Sequence, residues 1–362
     1  MCKKHLNNIK PYKQGKPIEE VKRELGLKKV IKLASNESPR PPSKKTIEAI
    51  KKQAASVNRY PDGGCFYLRE ALSKKLSIPG DNIVFGNGSD EIIILALQAF
   101  VKPGDEVITA NPTFLVYGIA SMVKGARVRE VPLKNYKYDL EAMLKAVTRR
   151  TRVVFIANPD NPTGTYVTKK ELDLFLKNVP RDILVFIDEA YYEFARGGDY
   201  PETLSLIKTG NRNIIIARTF SKAYGLAGLR IGYGLAGKDI ADILNKVREP
   251  FNVNSLAQTA AIAALSDDSY MEETIKFIKE EKEKYCGVFK SLNVGYLPSK
   301  ANFILINTKR DSKEIFNRLL AKGIIVREMS EWGLDGFIRV TIGLPDENKA
   351  FFKAFREIVA KV

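Results

Sequence analysis

The chain has 362 residues, 44% of them hydrophobic, and a net charge of +17. Its lysines are interspersed with glutamates, as in Ile278–Lys284, which indicates a solvated surface rather than a nucleic-acid site. Its only histidine, His5, lies in a polar segment, which argues against a Ser-His-Asp triad and against a metal site built from several histidines. The wide spacing of Cys2, Cys65 and Cys286, with no signal peptide and no apolar run of about 20 residues, predicts a cytoplasmic protein that does not bind membranes.

Three regions follow one another along the chain. Residues 1–35 are predicted to form an N-terminal arm with a short helix. Strands and helices alternate over residues 36–254, which predicts an α/β fold whose mostly parallel sheet is covered by helices on both faces. Residues 255–362 are predicted to form a smaller α+β domain, with strands at Ile324–Val326 and Phe337–Ile342 among others. The predicted strands of the large domain are Ile83–Phe85, Glu106–Thr109, Arg127–Val131, Val153–Ala157, Leu184–Ile187, Ile214–Ala217 and Ile231–Leu235.

A glycine turn joins the first of these strands to a helix. Gly88 would allow a ligand to approach the backbone closely, and the amides of Ser89 and Asp90 would point at an anion on the helix N-terminus. Ser89 also fits an ordinary helix N-cap, so this turn alone is weak evidence for an anion site.

A turn rich in proline and asparagine follows the strand Val153–Ala157. Prolines on both sides of Asn161 restrict the backbone, so its amide is held rigidly and is free to reach a ligand. A plain turn without a binding role is the alternative interpretation.

The next strand ends at Asp188. Open α/β sheets bind ligands at the carboxyl ends of their strands, and a buried carboxylate there requires a cationic partner. The protonated ring nitrogen of pyridoxal phosphate is such a partner, and Tyr191 would donate a hydrogen bond to the phenolic oxygen of the same ring. A helix N-cap is the alternative role for Asp188.

The most informative segment is Arg218–Arg230, which begins at the end of another apolar run. Lys222 lies among small polar side chains at a strand end, which suits an amine that reacts with an aldehyde. Thr219, Ser221 and Arg230 would supply donors for an anion beside it, and pyridoxal phosphate carries both groups. A single Ser-Lys pair would more often be a solvated lysine, but the accompanying turns favour a cofactor site. Asn161, Asp188 and Lys222 all follow strands, so they are expected to meet at one edge of the sheet.

Together these motifs resemble the fold-type I pyridoxal-phosphate enzymes and, within them, the histidinol-phosphate aminotransferases. The resemblance extends over nearly the whole chain. The segments most similar to that subfamily are Ile9–Tyr12, Leu33–Glu37, Asn58–Asp62, Arg218–Arg230, Arg248–Gln258 and Phe337–Gly343.

The resemblance implies pyridoxal phosphate as the cofactor. It implies that Lys222 forms the Schiff base and shuttles protons, that Asp188 pairs with the ring nitrogen, and that Asn161 and Tyr191 hold the phenolic oxygen. Phe114 would stack on the ring, where many relatives carry a tyrosine. The residues implied to bind the cofactor phosphate are Ser89, Asp90, Thr219, Ser221, Arg230 and, from the neighbouring subunit of a homodimer, Tyr60.

The implied substrates are small anionic molecules. Arg339 would hold their anionic end, assisted by Arg327 and Tyr12, with Asn36 nearby and no metal involved. Because Arg339 belongs to the small domain and must reach Lys222, the pocket is expected at a domain junction.

The implied reaction is transamination between glutamate or 2-oxoglutarate and L-histidinol phosphate or imidazole acetol phosphate. Two alternatives share the fold, namely a threonine-phosphate decarboxylase and an aromatic amino acid aminotransferase. A cofactor-binding regulator of nucleic acid is disfavoured, because about 35 residues before the large domain are too few for a helix-turn-helix domain.

Overall fold

The computed structural model describes residues 4–209 and 213–360. Cys2 and the outermost residues of the predicted arm and small domain lie outside the described residues. The strands are β1 (Ile31–Lys32), β2 (Ile83–Gly86), β3 (Glu106–Asn111), β4 (Arg127–Pro132), β5 (Thr151–Ala157), β6 (Leu184–Asp188), β7 (Ile214–Thr219), β8 (Gly232–Ala236), β9 (Gly295–Tyr296), β10 (Phe303–Asn307), β11 (Ile324–Ile325), β12 (Arg327–Glu328) and β13 (Phe337–Thr341).

The α-helices are α1 (Ile18–Leu25), α2 (Lys44–Ala54), α3 (Phe66–Leu76), α4 (Ser89–Phe100), α5 (Val116–Val123), α6 (Leu140–Lys145), α7 (Lys169–Asn178), α8 (Tyr192–Ala195), α9 (Leu204–Thr209), α10 (Lys238–Val247), α11 (Ser255–Leu265), α12 (Asp268–Ser291), α13 (Ser312–Ala321) and α14 (Pro345–Ala360). Short 3-10 helices lie at Lys4–Asn8, Gly80–Asn82, Ala227–Leu229 and Ser330–Trp332. Within the described residues, no helix combines the length and the apolar character that crossing a bilayer requires.

The large sheet has the strand order β2-β8-β7-β6-β5-β3-β4. Strand β8 is antiparallel to both of its neighbours, and the other pairings are parallel. Strands β5, β6 and β7 are almost entirely buried, as expected of parallel strands covered on both faces. The predicted α/β fold is therefore confirmed, and each predicted strand of the large domain lies in this sheet.

The antiparallel strand β8 brings one more segment to the functional edge of the sheet. Its amino end lies beside the carboxyl ends of β2 and β7. Arg230, which precedes β8, consequently approaches the turn at Gly88: a Cβ atom on Gly88 would lie 2.5 Å from Nη2 of Arg230. Asn161, Asp188 and Lys222 follow or end β5, β6 and β7 at the same edge, as predicted.

A smaller antiparallel sheet has the order β12-β13-β10-β9. Its core contains an aromatic cluster from α12 and α14, which includes Tyr285, Phe289 and Phe351. The predicted strand Ile324–Val326 is wrong in its extent, since the chain bends after Ile325. Residues 324–325 pair with β1, whereas residues 327–328 pair with β13.

The boundaries of the three predicted regions stay a prediction. Two contacts cross them: β1, within the predicted arm, pairs with β11 of the small domain. The alanines of α11, at the predicted start of the small domain, pack in the core of the large sheet.

Candidate active site

A cavity of about 350 Å³ lies at the carboxyl edge of the large sheet and is closed on the other side by residues of the small sheet and of the N-terminal segment. It is lined by every predicted site residue except Tyr60, namely Tyr12, Asn36, Ser89, Asp90, Phe114, Asn161, Asp188, Tyr191, Thr219, Ser221, Lys222, Arg230, Arg327 and Arg339.

Lys222 provides a buried amine in the centre of this group. Its Nζ lies 3.4 Å from the carbonyl oxygen of Ser35 and 5.8 Å from the centroid of the Tyr191 ring. Burial, followed by the positive charge of Arg339, lowers the pKa of Lys222 to about 8. Because an amine is nucleophilic only in its neutral form, this change increases its reactivity near neutral pH.

Asp188 is a buried carboxylate at the end of β6, with 6% of the residue exposed. Its Oδ2 accepts a hydrogen bond of 2.6 Å from the Tyr117 hydroxyl, and its Oδ1 accepts one of 3.0 Å from the amide of Ala190. Burial raises the pKa of Asp188 to about 6, although both hydrogen bonds act in the opposite direction. Within the described part of the chain it forms no ion pair, so this carboxylate lacks a cationic partner.

Asn161 and Tyr191 are oriented by neighbours that leave a donor available on each. Nη1 of Arg339 donates to Oδ1 of Asn161, which leaves the side-chain nitrogen Nδ2 of Asn161 to donate elsewhere. Nδ2 of Asn36 donates to the Tyr191 hydroxyl at 2.8 Å, which leaves the hydroxyl proton to donate elsewhere. Asn36 adopts a left-handed backbone conformation, with φ of 54°, and its backbone N–H donates to the Thr341 hydroxyl at 2.9 Å.

Two arginines of the small sheet face the cavity side by side. Arg327 on β12 is directly opposite Arg339 on β13. Like charges at opposed positions are unfavourable unless an anion is bound between them. Nε of Arg339 is buried and has no hydrogen-bond partner among residues 4–209 and 213–360, and burial lowers the pKa of this guanidinium. The arrangement therefore favours an anionic ligand.

A second group of donors surrounds the start of α4. Gly88, with φ of 84°, is the N-cap, so the N-cap interpretation of Ser89 is wrong, and Ser89 begins the helix. Amides of a first helical turn have no partner within the helix and attract anions. Arg230 approaches from β8, with its Nη1 at 3.3 Å from Oγ of Ser221 and its Nη2 at 3.3 Å from Oδ2 of Asp90.

Comparison with known proteins agrees with this geometry. The model of the family "Aminotransferase class I and II" matches residues 28–354. The chain belongs to the class I and II aminotransferase family.

Individual relatives of this aminotransferase cover almost its full length. The histidinol-phosphate aminotransferase of Moorella thermoacetica is 49% identical over 359 residues, which are 99% of this chain and 93% of the relative. Histidinol-phosphate aminotransferase 2 of Carboxydothermus hydrogenoformans is 46% identical over 361 residues, which are 99% of each chain. The crystal structure of the Sinorhizobium meliloti histidinol-phosphate aminotransferase in complex with pyridoxal-5'-phosphate has a TM-score of 0.90 and 30% identity, over 99% of this chain and 97% of that one.

Tyr117 is a site residue of this aminotransferase that the sequence analysis missed. It lies on α5, stacks on Phe155 with ring centroids 4.8 Å apart, and meets Phe114 edge-on at 5.5 Å. An available signal was its position three residues after Phe114, since that spacing puts two side chains on the same face of a helical turn.

Two buried networks that support the motifs were also missed. Asp160, next to Asn161, accepts hydrogen bonds from the hydroxyls of Thr113 at 2.7 Å and Thr163 at 2.8 Å. Burial raises the pKa of Asp160 to about 6. The second network is an ion pair of 2.8 Å between Arg218 and Glu189, both almost fully buried, which joins the ends of β6 and β7. Carboxylates and arginines next to a strand end are a signal for such supports.

Tyr60 lies apart from the cavity of its own chain. It is 84% exposed and stacks on Phe251 with ring centroids 4.8 Å apart. Its predicted role concerns the site of a neighbouring subunit, so that role stays a prediction. Among the described residues, no cluster of His, Cys, Asp and Glu side chains has a geometry suited to a metal ion.

Proposed function

We propose that this aminotransferase transfers the amino group of glutamate to imidazole acetol phosphate, which yields 2-oxoglutarate and L-histidinol phosphate in histidine biosynthesis. The similarity to histidinol-phosphate aminotransferases over nearly the whole chain supports this choice of substrates. The feature that carries the proposal is the presence of one reactive amine, Lys222, and two opposed arginines, Arg327 and Arg339, in the same cavity.

Pyridoxal phosphate is the proposed cofactor, because three features of the cavity fit its groups. Asp188 is a buried carboxylate that lacks a cation within the described residues, and a protonated ring nitrogen would be that cation. The first turn of α4 and Arg230 offer donors suited to its phosphate. Lys222 is an amine whose lowered pKa suits reaction with an aldehyde.

When bound, pyridoxal phosphate supplies an aldehyde that exchanges amines and a ring that withdraws electrons from the substrate's Cα. Asp188 keeps the ring nitrogen protonated, since an adjacent negative charge stabilises a cation. The free donors of Asn161 and Tyr191 are suited to the phenolic oxygen. Phe114 lines the cavity and is proposed to stack on the ring. Nζ of Lys222, when neutral, takes the proton from Cα.

Arg339 is proposed to hold the anionic end of both substrates in turn. A planar guanidinium forms paired hydrogen bonds with a carboxylate and with a phosphate. Nη1 of Arg339 donates to Asn161, which is the residue proposed to contact the cofactor. Arg339 therefore connects a bound substrate anion to the cofactor site. Arg327 and Tyr12 line the same end of the cavity and assist.

The protein is further proposed to form a homodimer in which Tyr60 binds the cofactor phosphate of the neighbouring subunit. Its high exposure in one chain supports this, since a stacked tyrosine with that much free surface is suited to a partner. A Tyr60→Phe variant should retain the cofactor less tightly in equilibrium dialysis. Unchanged cofactor affinity would remove the assignment.

A substrate panel tests the proposed function. The protein in its pyridoxal form is mixed separately with L-histidinol phosphate, threonine phosphate and phenylalanine, and the absorbance change to the pyridoxamine form is followed. Rapid conversion with L-histidinol phosphate alone is the expected result. Carbon dioxide release from threonine phosphate would favour a decarboxylase, and conversion by phenylalanine alone would favour an aromatic aminotransferase.

Chemical trapping tests the role of Lys222. Reduction of the cofactor-loaded protein with borohydride, followed by peptide mapping, should find the cofactor on Lys222. Lys282 is the internal control, because its pKa is also lowered by burial to about 8. Its Nζ is occupied by the carbonyls of Ser299 at 2.7 Å and Ala301 at 2.9 Å. Label on Lys282, or equal label on both lysines, would contradict the assignment.

A further inference from the structure

The guanidinium of Arg327 is held by neighbours on two sides. Its Nη2 donates to the carbonyl of Lys13 at 2.8 Å and to Oε2 of Glu331 at 3.0 Å. Its Cζ lies 4.7 Å from the centroid of the Trp332 ring. The side chain of Arg327 is 11% exposed and that of Glu331 is 36% exposed. Glu331 therefore supplies a negative charge on the solvent side of an arginine that lines the cavity.

Glu331 also connects Arg327 to the N-terminal segment. Its Oε1 lies 3.3 Å from Nζ of Lys13, so both the ammonium and the carbonyl of Lys13 are bound by the Arg327–Glu331 pair. The preceding residue, Tyr12, lines the cavity, and its ring centroid lies 6.0 Å from Cζ of Arg327. The carboxylate is thus fixed near the cavity by a cation on each side.

The two opposed arginines differ in their acidic partners. Arg339 is bound by the side-chain oxygen of Asn161 and the carbonyl of Ala34, and it has no carboxylate partner within the described residues. Arg327 is paired with Glu331. The charge that a ligand meets at Arg327 is therefore partly offset, whereas the charge at Arg339 is not.

We propose that Glu331 weakens the binding of phosphate groups relative to carboxylates, so that one cavity can alternate between two kinds of anion. The Coulomb energy is proportional to the charge of the ligand. A phosphate monoester carries about −1.5 to −2 at pH 7, whereas a carboxylate carries −1, so Glu331 opposes the phosphate up to about twice as strongly. This inference rests on the proposed function, in which glutamate and a phosphate ester occupy the cavity in turn.

The consequence for the reaction concerns release of the product. Without Glu331, the phosphate ester would be held by two uncompensated arginines and would leave slowly. With it, the affinities for the two substrates lie closer together. Glu331 is accordingly a specificity-determining residue that acts through Arg327 and does not itself line the cavity.

The test uses the cofactor-loaded protein and two simple anions, inorganic phosphate and acetate. Binding of each is measured by inhibition and by the fluorescence of Trp332, which is the only tryptophan of the chain and lies against Arg327. In Glu331→Gln, acetate should bind about threefold more tightly and phosphate about fivefold to ninefold more tightly, because the logarithm of the change scales with charge. The difference should shrink at high salt.

Three variants separate charge from structure. Glu331→Asp keeps the charge and should behave like the wild type, and Glu331→Gln should lower the KM for L-histidinol phosphate more than the KM for glutamate. Glu314→Gln is the matched control, since Glu314 forms an ion pair of 2.7 Å with Arg318 at the same four-residue spacing outside the cavity. It should leave both anion affinities unchanged.

The inference would be overturned if Glu331→Gln changed the affinities for phosphate and acetate equally, left them unchanged, or weakened them. It would also be overturned if Glu331→Asp behaved like Glu331→Gln. If the wild type fails to use L-histidinol phosphate, the proposed function is wrong. The fluorescence titrations with phosphate and acetate do not require turnover, so they test the role of Glu331 independently of the physiological substrates.

Discussion

Removal of the Tyr117 hydroxyl should make cofactor binding depend on pH. The hydroxyl donates to Oδ2 of Asp188 at 2.6 Å, and this bond opposes the effect of burial on the carboxylate. In Tyr117→Phe the negative charge of Asp188 loses a buried donor. We therefore expect the pKa of Asp188 to rise and the fraction available to pair with a protonated ring nitrogen to fall.

The expected size follows from the strength of the lost bond. A hydrogen bond to a charged group contributes about 1.5–3 kcal/mol, which corresponds to about one or two pKa units. The pKa of Asp188 is about 6 in the wild type, so it would rise to about 7–8 in the variant. At pH 7 the ionised fraction would fall from about 90% to between about 50% and 10%, and cofactor affinity would fall about twofold to tenfold.

Equilibrium dialysis of pyridoxal phosphate at several pH values measures this effect. The variant and the wild type are compared at each pH, so that the titration of Lys222 affects both equally. The deficit should be present at pH 7 and should nearly vanish at pH 9. Tyr285→Phe is the control, because Tyr285 is fully buried and donates a bond of 2.7 Å to Asn348 in the small-domain core. A deficit that is constant from pH 7 to pH 9, or equal in the control, would refute the reasoning.

Three further predictions concern other residues of the site. The rate at which cofactor-free protein captures pyridoxal phosphate should rise with pH in stopped-flow absorbance measurements, with its midpoint near the pKa of Lys222, about 8; a midpoint near 10.5 would contradict it. Gly88→Ala should weaken cofactor retention about tenfold or more, since the new Cβ would lie 2.5 Å from Nη2 of Arg230. Gly104→Ala, which also has positive φ but meets no atom within 4 Å, should affect only stability. Asp160 has a pKa raised from 3.8 to about 6, so its contribution to folding is present below pH 4 and is lost as pH rises through 6. Asp160→Asn should therefore show a smaller decrease in melting temperature between pH 4 and pH 7 than the wild type, and an unchanged slope would contradict it.

The large sheet and the residues at its edge were predictable because local signals were strong there. Apolar runs marked the strands, and the turns at the ends of three of them contain Asn161, Asp188 and Lys222. Parallel strands bring such turns to one edge, so a one-dimensional pattern was sufficient. The roles of Arg327 and Arg339 were assigned through the family resemblance, and the strand that holds Arg327 has only two residues, which give no periodic signal.

The contacts that tune the site could not be derived from the sequence. The bond from Tyr117 to Asp188 joins a helix to a strand across 71 positions, and that from Arg339 to Asn161 spans 178. Such partners depend on how helices pack on the sheet, which local propensity does not specify. Helix α4 begins at Ser89, one residue earlier than the N-cap interpretation of Ser89 required. A shift of one residue lies within the usual uncertainty of helix ends.

The bond between Asn36 and Thr341 connects positions 305 residues apart, and Arg339 lies beside it. During synthesis on a ribosome, the sheet edge that carries Asp188 and Lys222 emerges long before the arginines that grip the substrate. A partly made chain can therefore present an amine and a carboxylate without the substrate-binding arginines Arg327 and Arg339. Substrate recognition is acquired only when the late strand reaches back to a segment that was translated 305 residues earlier.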